Sequence, residues 1–128
     1  KKPVAEIDLS GISPFDQEML HKAEEIVEKN LDNLEFDIPM LCREIGMGRS
    51  TLFSKFKLLT GTTPNTFIAN ARLRAAEAMF RKYPTWSIAE VSERCGFNSV
   101  RYFSQCFKER YGTSPQTYKR EQAQNPTA

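Results

Sequence analysis

Residues 96–118 read GFNSVRYFSQCFKERYGTSPQTY, and an earlier stretch of the chain repeats their pattern. That stretch, residues 46–67, reads GMGRSTLFSKFKLLTGTTPNTF. An offset of 51 positions aligns Phe56 with Phe107, and six of the twelve aligned pairs that begin there are identical. A repeat this close indicates that one small supersecondary unit occurs twice in the chain.

Each copy shows the spacing of two short helices joined by a tight turn. Gly46 and Gly96 favour the left-handed conformation that ends a helix, and Ser50 or Ser99 offers a hydroxyl cap to the helix that follows. Two helices joined by a glycine-containing turn are typical of the helix-turn-helix motif, whose second helix can enter the major groove of DNA. Before each turn the apolar residues recur at i, i+3 and i+7, namely Ile38, Leu41 and Ile45, then Ile88, Val91 and Cys95.

Helical periodicity continues along the chain and predicts an all-α fold of about seven helices without a strand. A helix over 64–82, apolar around much of its circumference, is predicted to be a long central linker helix between the two units. At about 1.5 Å per residue it is roughly 27 Å long, against roughly 34 Å for one turn of B-DNA, so it could hold two helices in successive major grooves. The other helices are expected at 14–31, 38–45, 49–60, 88–95, 99–111 and 115–122.

These elements divide the chain into four segments. Residues 1–13 are predicted to be a linker, and residues 123–128 are predicted to be a disordered tail. Residues 14–82 are predicted to form the first helix-turn-helix unit, which includes an acidic N-terminal helix and the central linker helix. Residues 83–122 are predicted to form the second unit.

Charge is segregated along the chain, although the net charge is only +2. Residues 3–37 carry ten acidic and two basic side chains, whereas residues 38–128 carry six acidic and fourteen basic ones. Positive charge concentrated on the repeated units indicates a protein that binds a polyanion. The acidic first helix, capped by Ser13 or Asp16, would repel DNA, so we expect it to pack behind the first unit or to contact another protein domain.

The available side chains exclude most kinds of reactive site. Cys42, Cys95 and Cys106 are odd in number and widely spaced, which fits free thiols rather than a disulfide framework or a zinc site. His21 is the only histidine, so no histidine-based triad can be assembled. The sequence contains neither a phosphate-binding glycine loop nor an apolar run of membrane-spanning length. We therefore expect no enzyme activity, no metal, no cofactor and no small-molecule site, and a cytoplasmic location.

The second helix of each unit has an outward face without Asp or Glu. The positions i, i+3, i+4 and i+7 carry Arg101, Ser104, Gln105 and Lys108 in the second copy, and Ser50, Phe53, Ser54 and Lys57 in the first, where Arg49 and Lys55 flank them. A solvated helix face is the simpler interpretation of such a pattern. The absence of acidic side chains from both faces favours contact with a phosphate backbone instead.

These residues resemble the AraC/XylS family of transcription regulators over about 38–119. The most specific matches are GFNSVRYFSQCFKERYGTSPQTYK in the second unit and RLRAAEAMF in the linker helix. The opening FDQEMLHKAEEIVEKNL and the phrase LTGTTPNTFI are similar to the output domain of hybrid two-component proteins, whose parent chain is anchored in the inner membrane. The resemblance implies sequence-specific binding to double-stranded DNA and activation of transcription. It also implies two partners, RNA polymerase and the other domains of a longer parent chain.

The resemblance further implies which side chains meet the DNA. The expected base contacts come from Arg49, Ser50, Phe53 and Ser54 in the first unit, and from Val100, Arg101, Ser104 and Gln105 in the second. Arg101 can fork onto a guanine edge, and Gln105 can pair with an adenine edge. Lys57 and Lys108 are expected to lie at phosphates.

Some side chains leave alternatives open. Phe53 contacts a thymine methyl group or folds back on the core, so the first unit reads bases or contacts only the DNA backbone. Tyr102 donates to a phosphate or packs at the edge of its helix. Of Arg72 and Arg74 on the central helix, one is expected to brace the units rather than to read a base. The alternative function is a helical protein-interaction module that uses the acidic first helix.

Overall fold

The computed structural model describes residues 11–124, which form seven α-helices. No strand occurs within this part of the chain, so the predicted all-α fold is confirmed. Residues 1–10 of the predicted linker and 125–128 of the predicted tail lie outside the described residues, and the first two tail residues belong to α7. The helices are α1 (Pro14–Lys29), α2 (Ile38–Ile45), α3 (Arg49–Thr60), α4 (Pro64–Lys82), α5 (Ile88–Arg94), α6 (Val100–Tyr111) and α7 (Pro115–Gln124).

Side-chain caps fix the starts of six helices, with Thr63 and Ser114 capping α4 and α7. Ser13, Asp37, Ser87 and Ser99 each accept a hydrogen bond from the backbone N–H three residues further on, at 3.0–3.2 Å. Each bond satisfies one of the N–H groups that the first turn of a helix leaves without an intrahelical partner. Of the two caps expected for α1, the structure has Ser13, and Asp16 lies inside the first turn.

The cap of α3 differs from the prediction, although its bounds do not. We expected Ser50 to offer the cap, but α3 begins at Arg49, and its N-cap residue is Gly48, which makes no side-chain cap hydrogen bond. Ser50 already lies within the first turn, so its hydroxyl cannot reach an N–H further into the helix. The repeat offset of 51 positions explains the difference, because it places Gly48, and not Ser50, at the position of Ser99.

The chain divides into two compact units between Ala71 and Arg72, inside α4. The predicted first unit over 14–82 contains all of α4. In the structure, the first half of α4 contributes side chains to one hydrophobic core, and the second half contributes to another. No helix within residues 11–124 combines the length and the apolar composition that a bilayer crossing requires.

The core of the first unit joins α1 to its helix-turn-helix motif. Leu20 of α1, Leu41 of α2 and Phe56 of α3 are each fully buried there. The acidic helix therefore packs within this unit through its apolar stripe, which was one of the two expected arrangements. Its opposite side leaves Glu25 and Glu28 exposed to solvent.

The core of the second unit is built from aromatic rings. Phe80 of α4 and Phe103 and Phe107 of α6 are almost completely buried, with ring centroids 5.7–6.3 Å apart. Phe97 is buried beside them, and Tyr118 of α7 packs its ring 5.5 Å from that of Phe107. Tilted and edge-on pairs of this kind add stability beyond the area that they bury.

Arg72 ties α4 to the turn that precedes α6. Its side chain is buried, and its guanidinium donates hydrogen bonds to the carbonyl oxygens of Cys95 and Gly96. Burial lowers the pKa of Arg72, but the charge of the guanidinium is compensated by these two carbonyls at the end of α5. One of Arg72 and Arg74 was expected to brace the two units; the observed contacts of Arg72 brace the second unit, and its guanidinium is not on the surface.

Candidate nucleic-acid interface

The outer surface of α3 presents most of the side chains that the sequence predicts for DNA contact. Arg49, Ser50, Ser54 and Lys57 are exposed, while the opposite side of the helix buries Leu52 and Phe56. The N-terminal end of α3 offers its free N–H groups, because Gly48 supplies no side-chain cap. These features place a small polar surface, with positive charge at both ends, on one side of the first unit.

Phe53 does not fold back fully into the core, and its contact with a thymine methyl group stays a prediction. Its ring is half-buried at the edge of the core, and the guanidinium of Arg49 lies over the ring, 4.6 Å from its centroid. The two residues are one helical turn apart, so a contact between them is geometrically natural. The spacing of an arginine and an aromatic residue at i and i+4 was the signal that could have predicted this stack.

Lys55, expected beside the outward face of α3, instead forms a salt bridge within its own unit. Its Nζ atom lies 2.9 Å from Asp16 Oδ1 of α1, and the same ammonium lies 5.7 Å from the centre of the Phe15 ring. A lysine that already pairs with a carboxylate contributes little to phosphate attraction. The pairing spans 39 positions and depends on how α1 packs, so the local pattern could not reveal it.

An exposed leucine on α3 was not among the predicted contact residues. Leu58 is 82% exposed and follows Ser54 by one helical turn, so it continues the outward surface. The repeat offset places it opposite Glu109, which is also exposed. The outward surface of α3 thus has an apolar edge, whereas the corresponding edge of α6 is acidic. A helical-wheel projection that started from the buried Leu52 would have found both positions.

The outer surface of α6 carries longer polar side chains than that of α3. Arg101, Gln105 and Lys108 are exposed in succession along one side of the helix, and Ser104 beside them is half-buried. Val100 at the start of the helix is 42% exposed. The cap at Ser99 fixes the first turn from which Val100 and Arg101 project. All the side chains predicted for base contact by the second unit thus reach the surface, although Ser104 does so only in part.

Tyr102 lies at the edge of α6. It is 55% exposed, its ring centroid is 6.0 Å from that of Phe97, and a hydrogen bond with Cys106 raises the pKa of its hydroxyl. A hydroxyl already bonded to Cys106 is less available to a phosphate. Of the two alternatives for Tyr102, the geometry therefore favours packing at the helix edge.

A family model described as a helix-turn-helix domain matches residues 41–121, from within α2 to within α7. The chain belongs to the AraC-type helix-turn-helix family. The resemblance drawn from the sequence is thereby confirmed. As a member of this family, the chain is a DNA-binding domain of a transcription regulator.

Individual relatives of this AraC-type domain are longer proteins. It is 39% identical over 108 residues to "Histidine kinase P4" of Formosa agariphila, a match that covers 84% of the chain but 8% of that protein. It is 30% identical over 121 residues to the HTH-type transcriptional regulator MtrA of Neisseria gonorrhoeae, covering 93% of the chain and 39% of MtrA. The chain therefore spans less than half the length of these curated relatives.

A solved structure gives the same assignment. The DNA-binding domain of AdpA, a global transcriptional factor solved in complex with a target DNA, superposes with a TM-score of 0.71 at 29% identity. The match covers 84% of this AraC-type domain and 98% of the AdpA chain. The fold is thus shared with a protein whose structure includes bound DNA.

The cysteines of the AraC-type domain are free thiols. Burial raises the pKa of Cys95 to about 12, which keeps this thiol protonated and unreactive at neutral pH. Cys42 and Cys106 are partly buried. Within residues 11–124, no group of three or more His, Cys, Asp and Glu side chains is arranged to hold a metal ion.

Proposed function

We propose that the domain binds double-stranded DNA sequence-specifically by inserting α3 and α6 into the major groove, and that it activates transcription. The observation that carries the proposal is the outward side of α6, where Arg101, Gln105 and Lys108 are exposed in succession and the acidic Glu109 lies only at the edge beyond them. An arginine and an amide one turn apart are suited to reading base edges, and a lysine further along is suited to a phosphate.

Each of these side chains has a separate task in the proposed complex. Arg101 donates two hydrogen bonds to the O6 and N7 atoms of a guanine, and Gln105 pairs with the N6 and N7 atoms of an adenine. Lys108 of α6 and Lys57 of α3 neutralise phosphates and release counterions. Base reading by Arg101 sets the preferred sequence, while the lysines add affinity for any duplex.

The proposal is tested by selecting bound duplexes from a random pool and then measuring affinity by fluorescence anisotropy across a range of salt concentrations. We expect two half-motifs about one helical turn apart, as two major-groove helices on one face require. Arg101→Ala should cost about 1–3 kcal/mol on the selected site and relax one base position. Lys108→Ala should weaken all sequences alike and reduce the salt slope by about one unit.

A matched control separates base reading from loss of charge. Arg120 is an exposed arginine on α7, so Arg120→Ala removes the same charge as Arg101→Ala from another helix. We expect Arg120→Ala to leave the preferred sequence unchanged. Binding that is independent of salt, or an Arg101→Ala variant that still selects the wild-type site, would contradict the proposal.

We further propose that the domain is the output part of a longer regulator of the hybrid two-component kind and that RNA polymerase is its partner at promoters. The support is a 39% identical relative named as a histidine kinase, of which the match covers 8%. The exposed acidic side of α1 is the surface that we assign to another domain of the parent chain. Charge reversal at Glu25 and Glu28 should weaken that contact and leave DNA affinity intact, as measured with the separate domains.

A further inference from the structure

The two helices that we assign to the major groove carry their long side chains on different rows. On each helix, one row of side chains spaced i, i+4 starts at the first residue and a second row starts at the second residue. In α6 the first row holds the small Val100 and Ser104, and the second row holds Arg101 and Gln105. In α3 the arrangement is reversed: the first row holds the large Arg49 and Phe53, and the second row holds the small Ser50 and Ser54. The aligned pairs are Arg49 with Val100, Ser50 with Arg101, Phe53 with Ser104 and Ser54 with Gln105.

The long row of α3 is already organised without DNA. The guanidinium of Arg49 lies 4.6 Å from the centroid of the Phe53 ring, and Phe53 is itself held half-buried at the edge of the core. Stacking on an aromatic face uses the flat side of the guanidinium and leaves the N–H donors in its plane available. The ring also restricts the arginine side chain, so less conformational entropy is lost when the arginine binds a base.

The chemistry of this pair defines a particular target. An arginine fork matches the O6 and N7 atoms of guanine, and an aromatic ring next to it matches the 5-methyl group of thymine. Because the two side chains are in contact, the bases that they touch must be neighbours, since successive bases lie about 3.4 Å apart along a strand. The short side chains of Ser50 and Ser54 leave space for this approach on the adjoining row.

We infer that the first unit reads a guanine together with the methyl group of an adjacent thymine through the Arg49–Phe53 stack. The inference rests on the proposed major-groove binding of α3 and extends it by naming the base step. It makes the first unit a reader of bases rather than of the backbone alone. It also implies that 5-methylcytosine, which carries the same methyl group, can replace the thymine, whereas unmethylated cytosine cannot.

The test uses the 128-residue chain and the half-motif that duplex selection assigns to the first unit. The selected motif should contain adjacent G·C and A·T pairs. Replacing its thymine with deoxyuridine removes only the methyl group, and replacing its guanine with 7-deazaguanine removes one acceptor. Anisotropy titrations of both modified duplexes are then carried out with wild type, Phe53→Ala, Arg49→Ala, Arg49→Lys and the control Thr51→Ala, which alters an exposed residue of α3 outside the stack and outside the predicted base contacts.

For wild type, we expect deoxyuridine to weaken binding about threefold to fourfold, the value of one buried methyl-sized group. Phe53→Ala should lose this discrimination, and Thr51→Ala should keep it. Arg49→Ala should bind the unmodified duplex about 5- to 150-fold more weakly and no longer distinguish 7-deazaguanine. Arg49→Lys should also bind more weakly and no longer distinguish 7-deazaguanine, because an ammonium group cannot form the paired hydrogen bonds of a guanidinium to O6 and N7.

Three results overturn the inference, and they are distinguishable from failure of the proposed function. Equal deoxyuridine effects in wild type and Phe53→Ala would remove the thymine contact. Full 7-deazaguanine discrimination in Arg49→Lys or Arg49→Ala would remove the guanine contact. A selected site with only the half-motif that depends on Arg101 would show that the second unit reads DNA as proposed and that the first does not. Loss of sequence preference altogether would refute the proposed function as well.

Discussion

The two helix-turn-helix units agree in their interiors and turns and differ on their outer surfaces. Phe56 and Phe107 are both completely buried, and the glycines that end α3 and α6, Gly61 and Gly112, have the same φ of +76°. After each glycine, a hydroxyl caps the next helix. Thr63 caps α4 and the aligned Ser114 caps α7, each accepting from a backbone N–H at an N···O distance of 3.1–3.2 Å. On the outward surfaces, by contrast, positions that carry large side chains in α3 carry small ones in α6, and the reverse. Packing and turn chemistry therefore determine the shared fold, and the exposed rows determine what each unit contacts.

The two cores also differ in how they are built. The first unit completes its core with the aliphatic stripe of α1, whereas the second packs several aromatic rings against one another. Phe107 has four aromatic neighbours within about 6 Å, while Phe56 forms one such pair, with Phe67 at 5.0 Å. We therefore expect the stability of the second unit to depend more strongly on Phe107 than that of the first unit depends on Phe56.

The largest effect is therefore expected for Phe107→Ala. A buried phenylalanine replaced by alanine typically lowers the free energy of unfolding by about 3–5 kcal/mol. Phe107→Ala should lie at the upper end, because each lost aromatic pair adds about 0.5–1.5 kcal/mol. Urea unfolding followed by circular dichroism measures the change.

Phe56→Ala is the matched control, since it removes the same side chain from the aligned position of the other unit. It should fall at the lower end of the same range. A smaller loss for Phe107→Ala than for Phe56→Ala would mean that the aromatic neighbours add nothing beyond buried area.

An intermediate effect is expected for Arg72→Met, which tests the brace found in the second unit. The variant keeps most of the apolar stem but leaves the carbonyls of Cys95 and Gly96 without their charged donor. Hydrogen bonds from charged groups contribute about 1.5–3 kcal/mol, so a loss of about that size is expected in urea unfolding. Arg81→Met is the control on the same helix, because Arg81 is half-exposed, and its ion pair with Glu77 is worth at most about 1 kcal/mol. Equal losses for the two variants would show that the brace does not stabilise the unit.

The sequence predicted helices better than it predicted contacts between them. The bounds of α3 and α4 were predicted to the residue, because glycine after a helix and proline at its start act locally. The outward rows followed from the same periodicity. The partners of Lys55 and Arg72 were not predicted, because these contacts join residues 39 and about 24 positions apart and depend on helix packing. Phe53 was left undecided because helical periodicity places it at the boundary between core and surface, where only packing settles its position.

A smaller effect is expected at the start of α6. Ser99→Ala removes the hydroxyl that accepts from the Tyr102 N–H at 3.2 Å, and such a loss costs about 1 kcal/mol. The melting temperature should fall accordingly. Ser50→Ala is the informative control, because Ser50 lies inside α3 and caps nothing, so alanine should leave stability unchanged or raise it slightly through its higher helix propensity. A comparable destabilisation by Ser50→Ala would restore Ser50 as a cap and contradict the observed start of α3.

The smallest effect, and the one of opposite sign, is expected for Gly48→Ser, which gives the first unit the cap that the second already has. Gly48 has φ −72° and ψ 162°, an ordinary extended conformation, and a Cβ atom added there meets no atom within 4 Å. A serine can therefore adopt this conformation without strain, and its hydroxyl oxygen can accept a hydrogen bond from an N–H group of the first turn. The cap itself is worth a few tenths of a kcal/mol relative to glycine, and the stiffer unfolded chain adds about 0.4–1 kcal/mol. Urea unfolding should show a stability gain of about 1 kcal/mol, whereas the same substitution at Gly61, where φ is +76°, should destabilise the protein. If Gly48→Ser is also destabilising, the difference between the two helix starts serves a purpose other than stability, and the uncapped N–H groups of α3 become the next candidates for contact with a phosphate.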